Sequence, residues 1–521
     1  MSDDSLHRLQ SSDLNRLKLR QTITATEQRD IRQLLLDAKS ELGRHQDVLN
    51  RLRAETMIQE TKIKELKEKM QEYQALLSPM HQLPPEILAE VFLFYCTDQP
   101  CSPFQPLVVM NITKVCRRWK EVAASSPRLW SDLYVDFDCW RQHTSQLKNL
   151  AEVVVQRSKK SPLTLTFDCK PYAPAIQVLN ALECLFGSWY RWRHLDCSHT
   201  LLKYPIFQTL RHHLPALQSL RIRSQASDNS NLLFLDCRSL TSLNILPDAW
   251  VNTDLPLRQV RVLSMQTASP RAALSILQGC TNVRQLEWHS ISHSGGVNDV
   301  DLDHVVLPRV QRLVAIANDD RSGTAIFENS TLRSLSTLEI RGLSPASTWN
   351  HWNVDSLKDF LLRSSCALTS LSIESSPLSD QEMISLLRLI PTLTTLRIGE
   401  CEKDDQNNII TEAFFQPFSS SDNDGPGFLS SLNSLDLVVH LSSLHIQSLT
   451  HAVASRTSNI ADAPKSLCRL RSVRLTVMTK EDSDMSPFSA LQRHFRNAGV
   501  HVEILHKTIS TKTSSRPSRL R

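Results

Sequence analysis

Glycine is scarce in this chain, with 11 in 521 residues, where average usage is about 7%. Loops that cradle phosphate need backbone that approaches a ligand closely or adopts positive φ, and glycine supplies both. The shortage argues against a nucleotide-binding enzyme, and no GxGxxG, P-loop, HExxH or GxSxG pattern occurs. The twelve cysteines form no CxxC pair. No uninterrupted apolar run approaches the roughly 18–20 residues of a membrane span. The opening MSDDSLHRLQSSDLNRLKLR is too polar for a signal peptide. The expectation is a soluble chain with reduced thiols, cytoplasmic, nuclear or both, with no membrane partner. Charge of one sign is lacking too. The 59 basic and 54 acidic residues leave +5, a balance that does not indicate a nucleic-acid partner.

What is present is length and apolar content. Apolar residues make up 41% of the 521, too much chain for one compact core, so several domains or a repeat array are expected. Residues 1–26 are polar and read as disordered. Residues 27–77 hold no proline and one glycine, Gly43. Their apolar residues recur every seven, on one seam at Leu35, Leu42, Leu49, Ile63, Met70 and Leu77. A second seam takes Ile31, Ala38, Leu52, Leu66 and Tyr73, and His45, Thr56 and Gln59 interrupt the pattern. This predicts a long amphipathic helix with coiled-coil periodicity. Its narrow stripe needs cover, and a second copy, another protein or the chain's own domains are all candidates.

Ser78-Pro79 breaks that helix, and a helical block follows at 81–133. Leu83-Pro84-Pro85-Glu86 starts a helix, with proline in the first turn and an acid at the positive end of the dipole. Ile87, Leu88, Val91, Phe92 and Tyr95 place apolar groups on more than one side of it. After a turn-rich segment from Thr97 to Pro106, Ile112, Val115, Cys116, Trp119, Val122 and Ala123 follow helical spacing. Ser126-Pro127 caps a short turn bearing Leu129 and Trp130. Three small helices cannot hide all of these groups. The expected contact surface comprises Leu83, Pro84, Pro85, Ile87, Leu88, Val91, Val115, Cys116, Trp119, Leu129 and Trp130.

The runs LPPEILAEVF and ITKVCRRWKEVAASSPRLWSDL resemble the F-box, nearly end to end. The departure is the longer linker CTDQPCSPFQPLVV, similar to that of F-box proteins of mushroom-forming fungi. The resemblance implies docking on a Skp-type adaptor, and through it on a cullin, as the substrate receptor of a ubiquitin ligase with an unidentified protein target.

From 134 to 505 an apolar-x-x-Leu-x-apolar unit recurs. It reads as Leu217/Leu220/Ile222, Leu240/Leu243/Ile245, Val283/Leu286/Trp288, Val310/Leu313/Ala315, Leu335/Leu338/Ile340, Leu368/Leu371/Ile373, Leu393/Leu396/Ile398, Leu432/Leu435/Leu437 and Leu470/Val473/Leu475. Trp192/Leu195/Cys197 precedes these, and Leu257/Val260/Val262 sits irregularly among them. Spacings commonly near 23–27 match a leucine-rich repeat, and stacked parallel strands would form a solenoid. A doubly wound sheet would show longer apolar strands and more glycine. LYVDFD and SPLTLTFDC would open the array. A loop-rich insert is expected at about 399–429 around one helix near 409–418, and a basic flexible tail at 506–521.

The predicted fold class is therefore α+β and multidomain, with a long coiled-coil-like helix, a three-helix F-box and an α/β leucine-rich-repeat horseshoe. Its concave face would carry outward side chains such as Arg221, Glu287, Glu339 and Arg397, a mixed-charge surface suited to a protein or peptide.

Catalysis, cofactor and metal are not expected. His194, Cys197, His199, His212 and His213 match no common zinc spacing, and Cys197 occupies an apolar strand slot. Cys237, Cys280, Cys366 and Cys468 sit just before repeat units, as core thiols would. Asp422, Asp424 and Gly425 lack the other ligands of a calcium loop. The alternative reading is a leucine-rich scaffold without ligase association.

Overall fold

The computed structural model describes residues 24–77, 79–99, 101–102, 106–170, 176–210, 214–223, 237–246, 256–267, 269–290, 302–317, 324–342, 354–376, 378–401, 409–419, 427–441, 444–456, 470–479 and 486–508. Residues 402–408 and 420–426 of the 399–429 insert lie outside the described residues, as do His212, His213, Asp422, Asp424, Gly425 and Cys468. The chain divides into two compact units, residues 1–90 and 91–521.

In the first unit the heptad stretch is a single helix, α1 (Ala25–Leu76), of 52 residues. Its seam leucines, Leu35, Leu42, Leu49, Leu52 and Leu66, are all exposed. Helix α2 (Pro85–Asp98) follows, with Glu86 in its first turn, and the unit boundary falls within it.

The second unit is organised by one sheet of 14 strands whose order follows the chain. The strands are β1 (Asp132–Asp136), β2 (Leu163–Asp168), β3 (Trp192–Ser198), β4 (Ser219–Arg223), β5 (Ser242–Ile245), β6 (Val262–Thr267) and β7 (Gln285–Ser290), followed by β9 (Arg312–Ala317) and β11 (Thr337–Gly342). It continues with β12 (Ser370–Glu374), β13 (Thr395–Gly399), β14 (Ser434–His440), β15 (Ser472–Thr479) and β16 (His501–Thr508). The remaining strands, β8 (Val305–Val306) and β10 (Ser330–Thr331), pair with each other. Among the described residues every pairing is parallel. The order never doubles back, as it would at the switch point of a doubly wound sheet.

The recurring unit explains the register. Leu338 aligns with Leu313 and Leu371, and Ile340 with Ala315 and Ile373. Alternate residues share a strand face, so each unit's leucine stacks on its neighbours' leucines, and these rows are buried. The irregular unit is corrected by the same register. Leu263 pairs with Leu243 and Leu286, so the unit is Val260/Leu263/Met265, three residues later than Leu257/Val260/Val262. Val260, Leu263 and Met265 are fully enclosed. The opening strands lie where LYVDFD and SPLTLTFDC are expected, at β1 and β2. The unit that leads the array, not spelled out by the sequence pattern, is Trp130/Leu133/Val135, with Leu133 opposite Leu165 and Val135 opposite Phe167.

Helices complete the other wall. Helix Asp380–Leu387 opens with a capping box in which Ser379 and Glu382 satisfy each other's backbone N–H groups. Helix Glu412–Ser419, near the predicted 409–418, buries Phe414, Phe415 and Phe418. Strand β16 extends to Thr508, three residues into the segment expected as tail, because it pairs with β15 over its whole length.

Removing one row member should show how much the unit depends on this packing. Leu371→Ala is expected to destabilise by about 2–5 kcal/mol. Leu362→Ala, at an exposed position on helix Val354–Ser364, should stay within about 0.5 kcal/mol. Thermal unfolding of both variants checks the contrast.

Candidate protein-docking surface

Helix α2 is apolar around most of its circumference, with Glu86, Glu90 and Thr97 on one narrow exposed face, a composition that normally belongs to a largely buried helix. Only part of it is covered. Leu88 and Phe92, one turn apart, are 0% and 2% exposed. Ile87, Val91, Phe94 and Tyr95 are 51%, 44%, 75% and 41% exposed. Positions i, i+4, i+7 and i+8 form one stripe, so these four make a continuous apolar strip along α2. The Thr97 hydroxyl ends the helix by donating to the Leu93 and Phe94 carbonyls at 3.0 and 2.9 Å.

Beyond α2 the chain turns inward. Leu107, Val108, Val109 and Ile112 are buried. The Pro106 carbonyl accepts a bond from Tyr134 N–H at 3.1 Å, tying this segment to β1. Helix α3 (Arg117–Ser125) is capped by Cys116, whose Sγ accepts from Trp119 N–H at 3.5 Å. The Trp119 ring lies 4.8 Å from the Phe92 ring, joining α3 to α2. Val122 and Ala123 face inward, and an exposed Arg117–Glu121 pair at 2.8 Å lies on the opposite side.

The expected contact residues therefore separate into groups. Pro84, Pro85, Ile87, Val91, Val115 and Cys116 are exposed, with Val115 at 59%. Leu83 and Trp119 are half-buried. Leu88, Leu129 and Trp130 need correction as contact residues, because they are enclosed. Trp130 donates from Nε1 to the Ala123 carbonyl at 2.7 Å, and the Arg157 guanidinium lies 4.4 Å from its ring centre. It fills the first slot of the first strand unit, so its place is inside the fold. Phe94 is the most exposed of these four apolar groups on α2 and was absent from the expected set. Its i+7 spacing from Ile87 was the available signal.

Between this block and the first strands is an open cleft of about 300 Å³, lined in part by Cys96, Cys101, Arg128, Asp132, Arg193 and His194. Burial, helped by the Asp132 charge, pushes both the Cys96 and Cys101 thiols up to about 11. Burial also raises the Asp132 carboxyl. Both thiols are therefore protonated near neutrality and are poor nucleophiles. Among the described residues no group of three His, Cys, Asp or Glu is placed to hold a metal ion. Cys197 is enclosed and burial raises its thiol. Burial, with Arg193 nearby, lowers the His194 imidazole. No described helix is long and apolar enough to cross a membrane.

On the sheet, charge ladders run along the row that carries Arg221, Glu287, Glu339 and Arg397 and cross to the rows beside it. Arg397 meets Glu374 at 2.6 Å and Asp436 at 2.8 Å, and Arg474 meets Glu503 at 2.7 Å. Arg223 meets Asp196 at 2.8 Å and Asp168 at 3.3 Å. Glu339 is paired with both Arg312 and Arg341. Parallel register stacks like positions, so opposite signs on successive strands neutralise one another.

The profile of a family described as F-box-like matches residues 80–136. That span runs from just before α2 through α3 to the end of β1. The chain thus carries an F-box-like domain, which supports an F-box protein. No curated protein matches the chain.

Thiol chemistry reports on the cleft. At pH 8 a thiol with a pKa near 11 is thiolate only about one part in a thousand. Iodoacetamide at that pH should therefore modify the exposed Cys116 and leave Cys96 and Cys101 intact in peptide mapping. Labelling of the latter should appear as the pH approaches their pKa. Equal labelling of all three at pH 8 would contradict the enclosure.

Proposed function

We propose that this chain is the substrate-recruiting subunit of a Skp-cullin-F-box type ubiquitin ligase, with no catalytic chemistry of its own. The observation that carries the reading is the strip Ile87, Val91, Phe94 and Tyr95, exposed on α2 inside the F-box-like domain. Proteins built on this domain are generally non-catalytic receptors that bind a Skp-type adaptor, and through it a cullin. Covering about 500 Å² of apolar surface would contribute roughly 10 kcal/mol before the costs of association, enough to make the strip the anchor of a stable complex. Pro84, Pro85, Val115 and Cys116 lie exposed in the same domain and would extend the contact.

We read the sequential parallel sheet as a degenerate leucine-rich-repeat horseshoe that holds the target. The strictly sequential strand order and the stacked leucine rows support this. Its charge ladders are internally neutralised, which favours a target recognised by shape and hydrogen bonds over one held by bulk charge. The mechanism is positioning. A tethered target lysine meets activated ubiquitin at high effective concentration.

Capture of a Skp-type adaptor by the full-length chain tests the reading. Ile87→Asp and Phe94→Asp alter exposed positions, so the fold should persist, and each should weaken capture by at least about tenfold. Leu83→Ala with Pro84→Ala should also weaken it. Arg117→Ala, on the exposed side of α3, should leave it unchanged. Adaptor capture that is absent in the unaltered chain, or undiminished in both aspartate variants, would favour a scaffold without ligase association.

A further inference from the structure

Helix α1 exposes an apolar seam from Leu35 to Tyr73, and its charges decide what can cover that seam. With Leu35 at heptad position a and Ala38 at d, Arg32, Lys39, Arg53, Glu60 and Lys67 fall at e, and Glu27, Glu41, Glu55, Lys62 and Lys69 fall at g. These positions flank the seam and set partner and orientation. In a parallel, in-register pair each g residue meets the following e residue of the other chain. That sets Glu55 against the partner's Glu60 and Lys62 against the partner's Lys67, each twice by symmetry. Its opposite-charge pairing is confined to the helix's first turns.

Antiparallel pairing sets g against g and e against e. With Leu49 facing the partner's Leu52, Glu41 meets the partner's Lys62 and Lys39 meets the partner's Glu60, again each twice. The one unfavourable pairing is Arg32 with the partner's Lys67. The same register places Leu35 against the partner's Leu66 and Met70 against the partner's Ile31. It also sets the polar His45 against the partner's polar Thr56. Its centre falls between Asn50 and Arg51, the midpoint of Ala25–Leu76, so the helices overlap over their full length. One register thus satisfies charge, seam and length together. Leu36, Met57 and Ile58, which lie off the seam and are exposed, stay in solvent in this arrangement.

We infer that α1 pairs with the α1 of a second copy of this chain as an antiparallel two-stranded coiled coil. At 1.5 Å per residue, the two chains leave the 52-residue helix at opposite ends, roughly 78 Å apart. Two F-box-like domains would be tethered by one rod and held well separated. The inference stands without adaptor docking.

Sedimentation equilibrium of the full-length chain tests it, with helix content of each variant checked by circular dichroism. The unaltered chain should dimerise. Glu41→Lys and Lys62→Glu should each weaken the dimer about fivefold, since each turns two attractive contacts repulsive. An equimolar mixture of the two single variants should recover affinity to within about twofold, because only the mixed pair restores opposite charges at both contacts. A helix folded back on its own chain would show no such rescue between molecules. A chain that stays monomeric at about 100 µM overturns the inference. So does an unchanged Glu41→Lys dimer or a tightened Lys62→Glu dimer, the signatures of parallel pairing.

Discussion

The fold of the second unit rests on in-register stacking of one inward residue pair from strand to strand. No single strand of four to eight residues could bury its leucine alone. Each is enclosed only because its neighbour offers the same side chain at the same height. The row from Leu133 through Leu165, Leu195 and Leu220 to Val502 holds this alignment across the sheet. The outward rows inherit the same spacing, which is why opposite charges on adjacent strands fall within ion-pair distance.

That constraint reaches into the F-box-like domain. Trp130 closes the helical segment of the domain and also occupies the leading slot of the first strand unit. Its bond to the Ala123 carbonyl and the Arg157 cation over its ring fix it there. Once Leu129 and Trp130 belong to the inside, the segment after α3 has little left to offer an outside molecule. The accessible apolar surface moves to α2. Phe92 faces Trp119, and the strip from Ile87 to Tyr95 faces away. The proposed docking surface is thus defined by what the sheet takes up as much as by the helix itself.

Much of this was legible in the sequence because period carries physical meaning. A repeat of seven gave α1, and apolar-x-x-Leu-x-apolar gave nearly every strand of the sheet. Where two overlapping matches existed, as at Leu257 and Val260, spacing alone did not choose. The partner strands did, through Leu243 and Leu286. Leu107 and Val108 were passed over because prolines and polar residues surround them, yet the segment is anchored by Tyr134 and turns inward. Exposure was the least legible property. In α2 the polar residues Glu86, Glu90 and Thr97 mark only a narrow face and apolar groups take up the rest, so Leu88 and Phe94 could not be told apart until their neighbours were placed.

Side-chain footprinting of α2 tests the central claim most directly. Hydroxyl radicals oxidise accessible aromatic rings, and Phe94 and Tyr95 are both open in the free chain. With a Skp-type adaptor bound, oxidation of these two rings should fall severalfold, while that of Tyr190, exposed elsewhere, stays the same. Unchanged oxidation of Phe94 and Tyr95 in an adaptor-bound chain would show that the strip is not the docking surface.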